Sequence, residues 1–216
     1  MRRVTLSFDN GPHPSVTPAV LDILDRHAVK SSFFVVGKNL DASPAARAAA
    51  RRAKDAGHLI GNHSYTHSIP LGELPDETAC TEIHRTAASL GDLAGQEKLF
   101  RPFGGGGRLG THLLNAAAAD LLVAERYTCV TWNAIPRDWN DPDGWPERAR
   151  AACRDMDWPL MVLHDIEGAC LDHLDAFLDW LHDNDIEISQ DFPDDCLPIR
   201  DGRANATPWL PNNIRR

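Results

Sequence analysis

The chain has 216 residues, 43% hydrophobic and 25% charged, and a net charge of −9. That is the profile of a globular chain long enough for one domain with a sizeable core. The negative balance argues against nucleic acid or an anionic membrane surface as partners, and no apolar run is long enough to span a bilayer.

In chain order, Val4–Phe8 reads as a strand, and Val20, Leu21, Ile23 and Leu24 follow at helical spacing after Thr17-Pro18. Ser31–Val36 is a strand of aromatic and β-branched residues, and Ala45–Ala56 is an alanine-rich helix. His58–Gly61 is a short strand, Pro75–Leu93 a helix, Leu99–Arg101 strand-like and Leu113–Val123 helical. Tyr127–Trp132 is a strand, Trp145–Met156 a helix, Leu160–His164 a buried strand, Leu171–Leu181 a helix and Ile186–Ile188 a last strand. This alternation, with about seven strands, predicts an α/β fold on a parallel sheet or barrel. Residues 1–202 are expected to form a single domain, and 203–216, which lack periodicity, a C-terminal tail.

The N-terminal Met1-Arg2-Arg3 runs straight into the first strand with no apolar h-region, so the expected location is cytoplasmic. Cys80, Cys129, Cys153, Cys170 and Cys196 are scattered, odd in number and without a C-x-x-C pair. Reduced, mostly buried thiols are expected rather than disulfides or a cysteine zinc site.

Parallel α/β folds place their sites outside the C-terminal strand ends. Five polar clusters fall there: Asp9-Asn10, His63-Ser64-Tyr65-Thr66-His67, Arg101-Pro102-Phe103, Arg137-Asp138-Trp139 and His164-Asp165. Asp9 and Asn10 precede Gly11-Pro12, which is ordinary turn chemistry taken alone. His63 and His67 are four apart, so one helical turn would aim both imidazoles to one side, as a zinc pair or as hydrogen-bonded histidines of a capped turn. Arg101 is a surface cation or, pointed across the rim, a partner that keeps Asp9 ionised as a general base. His164 after an apolar run reads as a core histidine or a member of the site. Gly104–Gly107 is a flexible loop or a wall that lets backbone N–H groups approach a ligand. Trp132, Trp139 and Trp145 offer stacking surface for a sugar ring or belong to the core. The remaining histidines (His13, His27, His58, His84, His112, His173 and His182) are expected to be surface or structural.

In order, the clusters resemble the motifs of the polysaccharide deacetylase family (the NodB homology domain, carbohydrate esterase family 4). Phe8-Asp9-Asn10-Gly11-Pro12 is similar to F-D-D-G-P, His63–His67 to H-[ST]-x-x-H, and Arg101-Pro102-Phe103 to the third motif. Asp138-Trp139 and Met161-Val162-Leu163-His164-Asp165 are similar to the fourth and fifth. The resemblance implies a distorted (β/α)7 barrel and metal-assisted removal of an N- or O-acetyl group. It implies Asp9 as general base, tuned by Arg101, and His164 as general acid, oriented by Asp138. His63, His67 and the residue at Asn10 would hold a divalent metal, zinc being expected. A backbone N–H of Phe103 or Gly104 would serve the oxyanion, and Trp139 would wall the site beside His164.

Two departures bear on this. Asn10 stands where the family usually has a second Asp, so the metal site is expected to be weakened. Pro102 alone separates Arg101 from Phe103, where many members have two residues. The expected substrate is an N-acetylated carbohydrate or a small amide. A metal-free hydrolase of a small non-sugar amide and a non-catalytic glycan-binding domain are the alternatives.

Overall fold

The first strand, β1 (Arg3–Asp9), has two unlike faces. Val4, Leu6 and Phe8 pack in one apolar cluster, whereas Thr5, Ser7 and Asp9 are buried on the opposite face. Strand geometry alternates side chains, so one strand feeds an outer core and carries polar groups inward. A computed structural model describes residues 2–205 and 214–215.

After β1 come α1 (Val16–Arg26), β2 (Ser32–Val35), α2 (Gly37–Asp41), α3 (Pro44–Asp55) and β3 (Leu59–Asn62). Next are α4 (Asp76–Leu90), β4 (Lys98–Phe100), β5 (Leu114–Asn115), α5 (Ala116–Ala124) and β6 (Tyr127–Cys129). The chain continues through α6 (Trp145–Asp155), β7 (Leu160–His164), α7 (Leu171–Asp183), β8 (Glu187–Ser189), β9 (Ile199–Arg200), β10 (Arg203–Ala204) and β11 (Ile214–Arg215).

The parallel strands run β6-β4-β3-β2-β1-β7, and β8 also pairs with the start of β1. The sheet does not close, although a bridge from Ala134 to Met161 of β7 spans part of the gap. With the flanking helices this is the α/β, distorted (β/α)7-type architecture. The antiparallel β9 and β10 extend it beyond β6. One apolar cluster joins β1 and β7 to α1, α6 and α7, and a second gathers Phe34, Phe100, Trp132 and Val162 with α4 and α5.

Local chemistry sets the helix starts. Ser43 Oγ accepts the Ala46 N–H at 3.1 Å ahead of Pro44, and Asn115 Oδ1 accepts that of Ala118 at 2.9 Å. The cap at Asn115 delays the helix expected from Leu113, and Leu114–Asn115 pair instead with Ile214–Arg215. The strand expected over Tyr127–Trp132 ends at Cys129, because the Val130 and Thr131 carbonyls turn to Arg101. Of the expected tail, Arg203–Ala204 pair with Ile199–Arg200, and residues 206–213 lie outside the described residues. No helix of the described residues is long and apolar enough to cross a membrane.

Candidate active site

Parallel pairing of β1 with β7 makes Asp9 and His164 register partners. Both line a cavity of about 270 Å³ together with Asn10, His63, His67, Phe103, Gly104, Trp132 and Trp139. Five separate stretches of sequence therefore meet at one rim.

Asp9 is 3% exposed, and its charge is matched by Arg101, which is fully buried. One terminal nitrogen of Arg101, Nη1, donates to Asp9 Oδ1 at 2.8 Å and to Ser7 Oγ at 2.6 Å. Nε and Nη2 donate to the carbonyls of Val130 and Thr131, and the guanidinium lies 3.9 Å from the centre of the Phe34 ring. Burial lowers the Arg101 pKa and Asp9 works against that shift. A buried ion pair persists only when its remaining donors and acceptors are satisfied, and here the loop after β6 supplies those partners.

His164 is held from behind by Asp138, which is fully buried. The two Asp138 oxygens accept the His164 backbone N–H at 2.7 Å and its Nδ1–H at 2.8 Å. Nε2 is thereby left as the working nitrogen. Burial opposes protonation, but the Asp138 hydrogen bond and charge, with Asp9 and Asp165 beyond, outweigh it and raise the pKa. Trp139 stands edge-on to this imidazole at 4.7 Å and is 38% exposed at the cavity mouth.

The two histidines of the second cluster meet on a loop rather than on the helical turn their spacing suggests. Ser64 and His67 have φ of 65° and 50°, and the ring centres lie 4.9 Å apart. Glu82 of α4 organises this loop by accepting the Tyr65 and Thr66 N–H groups at 3.0 and 2.7 Å. His63 Nδ1 lies 2.8 Å from the Arg101 carbonyl, which can only accept, so Nδ1 carries the proton and Nε2 the lone pair. Burial holds both histidines neutral: it lowers the His63 pKa to about 3, and burial together with His63 lowers that of His67 to about 3.

These residues fit a divalent cation. His63 Nε2 faces Asp9 Oδ2 at 3.5 Å with no proton to share, and the buried Asn10 Oδ1 has no hydrogen-bond partner. Neutral imidazoles with the second nitrogen fixed by a carbonyl are suited to zinc. Among the described residues no group of three His, Cys, Asp or Glu forms a metal cluster.

His67 stacks on Phe103, ring centres 3.8 Å apart, and the backbone N–H groups of Phe103 and Gly104 have no partner among the described residues. Beyond them Gly104, Gly105, Gly106 and Gly107 all have positive φ. Trp132 Nε1 clamps this loop by donating to the Gly107 carbonyl at 2.6 Å. Trp132 and Trp139 thus line the cavity, whereas Trp145 is fully buried against Phe177 and offers no stacking surface. The sequence alone did not point to Ser7, Ile135 or Glu82. Ser7 alone carried a signal, as a polar residue within a buried parallel strand.

Two buried side chains anchored from behind, Asp9 and His164, and a cluster of neutral nitrogen and oxygen donors thus share one cavity at the C-terminal ends of the parallel strands. Residues 1–122 match the family model described as polysaccharide deacetylase, and the chain belongs to that family. It is 31% identical over 174 residues to a chitooligosaccharide deacetylase of Rhizobium leguminosarum bv. trifolii, covering 76% of this chain and 72% of the relative. It is 28% identical over 181 residues to the peptidoglycan-N-acetylglucosamine deacetylase PgdA of Listeria monocytogenes, covering 82% of this chain. The match spans about a third of the length of that relative, 35%. Among solved structures, peptidoglycan deacetylase PdaC of Bacillus subtilis superposes with a TM-score of 0.69 at 25% identity, covering 87% of this chain and 86% of the other.

Proposed function

We propose that the chain hydrolyses the acetamide of an N-acetylated glycan, with Asp9 as general base and His164 as general acid. The observation that carries this reading is the register that sets Asp9 beside His164 in one cavity, each anchored from behind by a buried partner. Asp9 keeps Oδ2 to accept a proton from water while Arg101 holds Oδ1. The water oxygen adds to the acyl carbon, and the free N–H groups of Phe103 and Gly104 are suited to the charge that develops on the acyl oxygen. His164 Nε2–H gives its proton to the departing nitrogen as the C–N bond breaks, and Asp138 keeps the imidazole turned for that transfer. Acetate and a free amine are the products.

His63, His67 and Asn10 would hold a divalent metal, zinc in the first instance. When bound it supplies Lewis acidity at the acyl oxygen and the attacking water. Asn10 contributes a neutral oxygen in place of a carboxylate, so the donor set carries no charge of its own and affinity is reduced.

A soluble N-acetylated oligosaccharide is the substrate class. The half-exposed Trp139 at the cavity mouth, with Trp132 beside the glycine loop, offers apolar ring faces to a sugar. The test is release of acetate and free amine from N-acetylchitooligosaccharides, run beside small non-sugar amides with and without zinc. Turnover of the sugars supports the reading, and turnover of the small amides alone overturns the substrate class. Asn10 is the one feature that favours a glycan-binding role without catalysis. Calorimetric binding of the oligosaccharide with no acetate released would establish that role instead.

A further inference from the structure

Behind the first motif lies a carboxyl group the chemistry above does not use. Asp165 follows His164 in sequence yet does not line the cavity, and it is 1% exposed. Its Oδ1 accepts the Gly11 N–H at 3.1 Å and its Oδ2 the Thr17 hydroxyl at 2.5 Å. Thr17 Oγ1 in turn accepts the His13 N–H at 2.8 Å. A Cβ built on Gly11 would stand 2.1 Å from Asp165 Oδ2, so only glycine fits where the turn wraps this carboxyl group.

The turn needs such a hold. Asn10 adopts φ 74°, a left-handed conformation that residues other than glycine adopt rarely. Asn39 Nδ2 donates to the Asn10 carbonyl at 2.7 Å, and the Val36 N–H donates to that of Gly11 at 2.9 Å. The backbone of Asn10 and Gly11 is therefore tied on one side by Val36 and Asn39, at the start of and within α2, and on the other by Asp165. The Asn10 side-chain oxygen meanwhile makes no bond within the protein.

We propose that Asp165 is a positioning residue: its buried carboxyl group is the post around which the Asn10–Pro12 turn is folded, fixing where Asp9 and Asn10 enter the cavity. The adjacent His164 and Asp165 thus divide two tasks, proton transfer on one side of β7 and alignment of the neighbouring loop on the other. The zinc and kinetic readouts below rest on the hydrolase reading, and Gly11 exchange does not.

The experiment compares wild type with Asp165→Ala, Asp165→Asn and Leu24→Ala. The asparagine variant keeps an acceptor for Gly11 and a partner for Thr17. Leu24 is a fully buried residue of the outer core and controls for lost stability. Amide exchange at Gly11, zinc calorimetry, kcat and KM are measured at matched folded fractions. Asp165→Ala is expected to speed Gly11 exchange, weaken zinc binding about tenfold and lower kcat about tenfold with KM little changed. Asparagine is expected to restore most of each, and Leu24→Ala to leave all of them near wild type. If Asp165→Ala behaves like Leu24→Ala at Gly11, the proposal is overturned. Absence of both turnover and zinc binding in wild type would count against the hydrolase reading alone, and Gly11 exchange would still decide the role of Asp165.

Discussion

The two halves of the cavity are built on opposite plans. On the acid–base side the groups behind the working atoms are closed: Asp9 is tied to Arg101, His164 to Asp138, and Arg101 to Ser7 and two carbonyls. On the other side the donors are left open, with His63 Nε2 and Asn10 Oδ1 lacking any proton to share. The difference separates groups the fold has already satisfied from groups that await something from outside. Burial alone does not draw that line. His58 is also buried, its pKa is lowered to about 4, first by burial and then by Lys30, and its Nε2 has no hydrogen-bond partner, but its Nδ1 accepts the Ser31 N–H at 3.1 Å, so the nitrogen left over carries a proton and offers no lone pair.

Four substitutions would break or sharpen this contrast. The largest effect is expected from Arg101→Leu, which strands the Asp9 carboxylate and should cost about 3–5 kcal/mol in chemical denaturation. Asp138→Asn keeps the shape but loses the charge behind His164. Acetate release should fall about a thousandfold. In the proposed mechanism His164 must carry its proton, so activity is expected to decline as pH rises through its raised pKa, and losing Asp138 should move that decline to lower pH. A pH–rate profile reads both.

On the open side, Asn10→Asp adds a charge to the donor set and should tighten zinc binding about tenfold by calorimetry. The smallest effect is expected at His58. Its folded pKa lies below the unfolded value, so it contributes stability above about pH 6.5 that is lost as pH falls toward 4. His58→Asn, which keeps an acceptor for Ser31, should flatten that acid limb by under about 2 kcal/mol in pH-dependent melting.

Much of this was legible in the residues. Hydrophobic period marked every parallel strand of the sheet, and punctuation by Gly, Pro and Asn marked the turns that carry Asp9, Asn10 and Arg101. The five motifs named the lining of the cavity because motif residues sit at strand ends, where the fold converges. Spacing did not reveal how His63 and His67 meet, since a loop held by the distant Glu82 replaces the helical turn. Asp165 and Asn39 were opaque for the same reason: their partners lie far along the chain, and only pairing of β1 with β2 and β7 brings them together. Trp139 was marked by its motif beside Asp138, but Trp132 and Trp145 looked alike in sequence, and tertiary packing alone sent Trp145 to the core and Trp132 to the cavity.

The most direct measurement is single-turnover acetate release from an N-acetylchitooligosaccharide by wild type and Asp9→Asn, both shown to bind the sugar. The paired anchoring of Asp9 and His164 predicts about a thousandfold loss of rate with sugar affinity nearly unchanged. A rate within about twofold of wild type would remove Asp9 from the chemistry and contradict the assignment of the closed half as the acid–base pair.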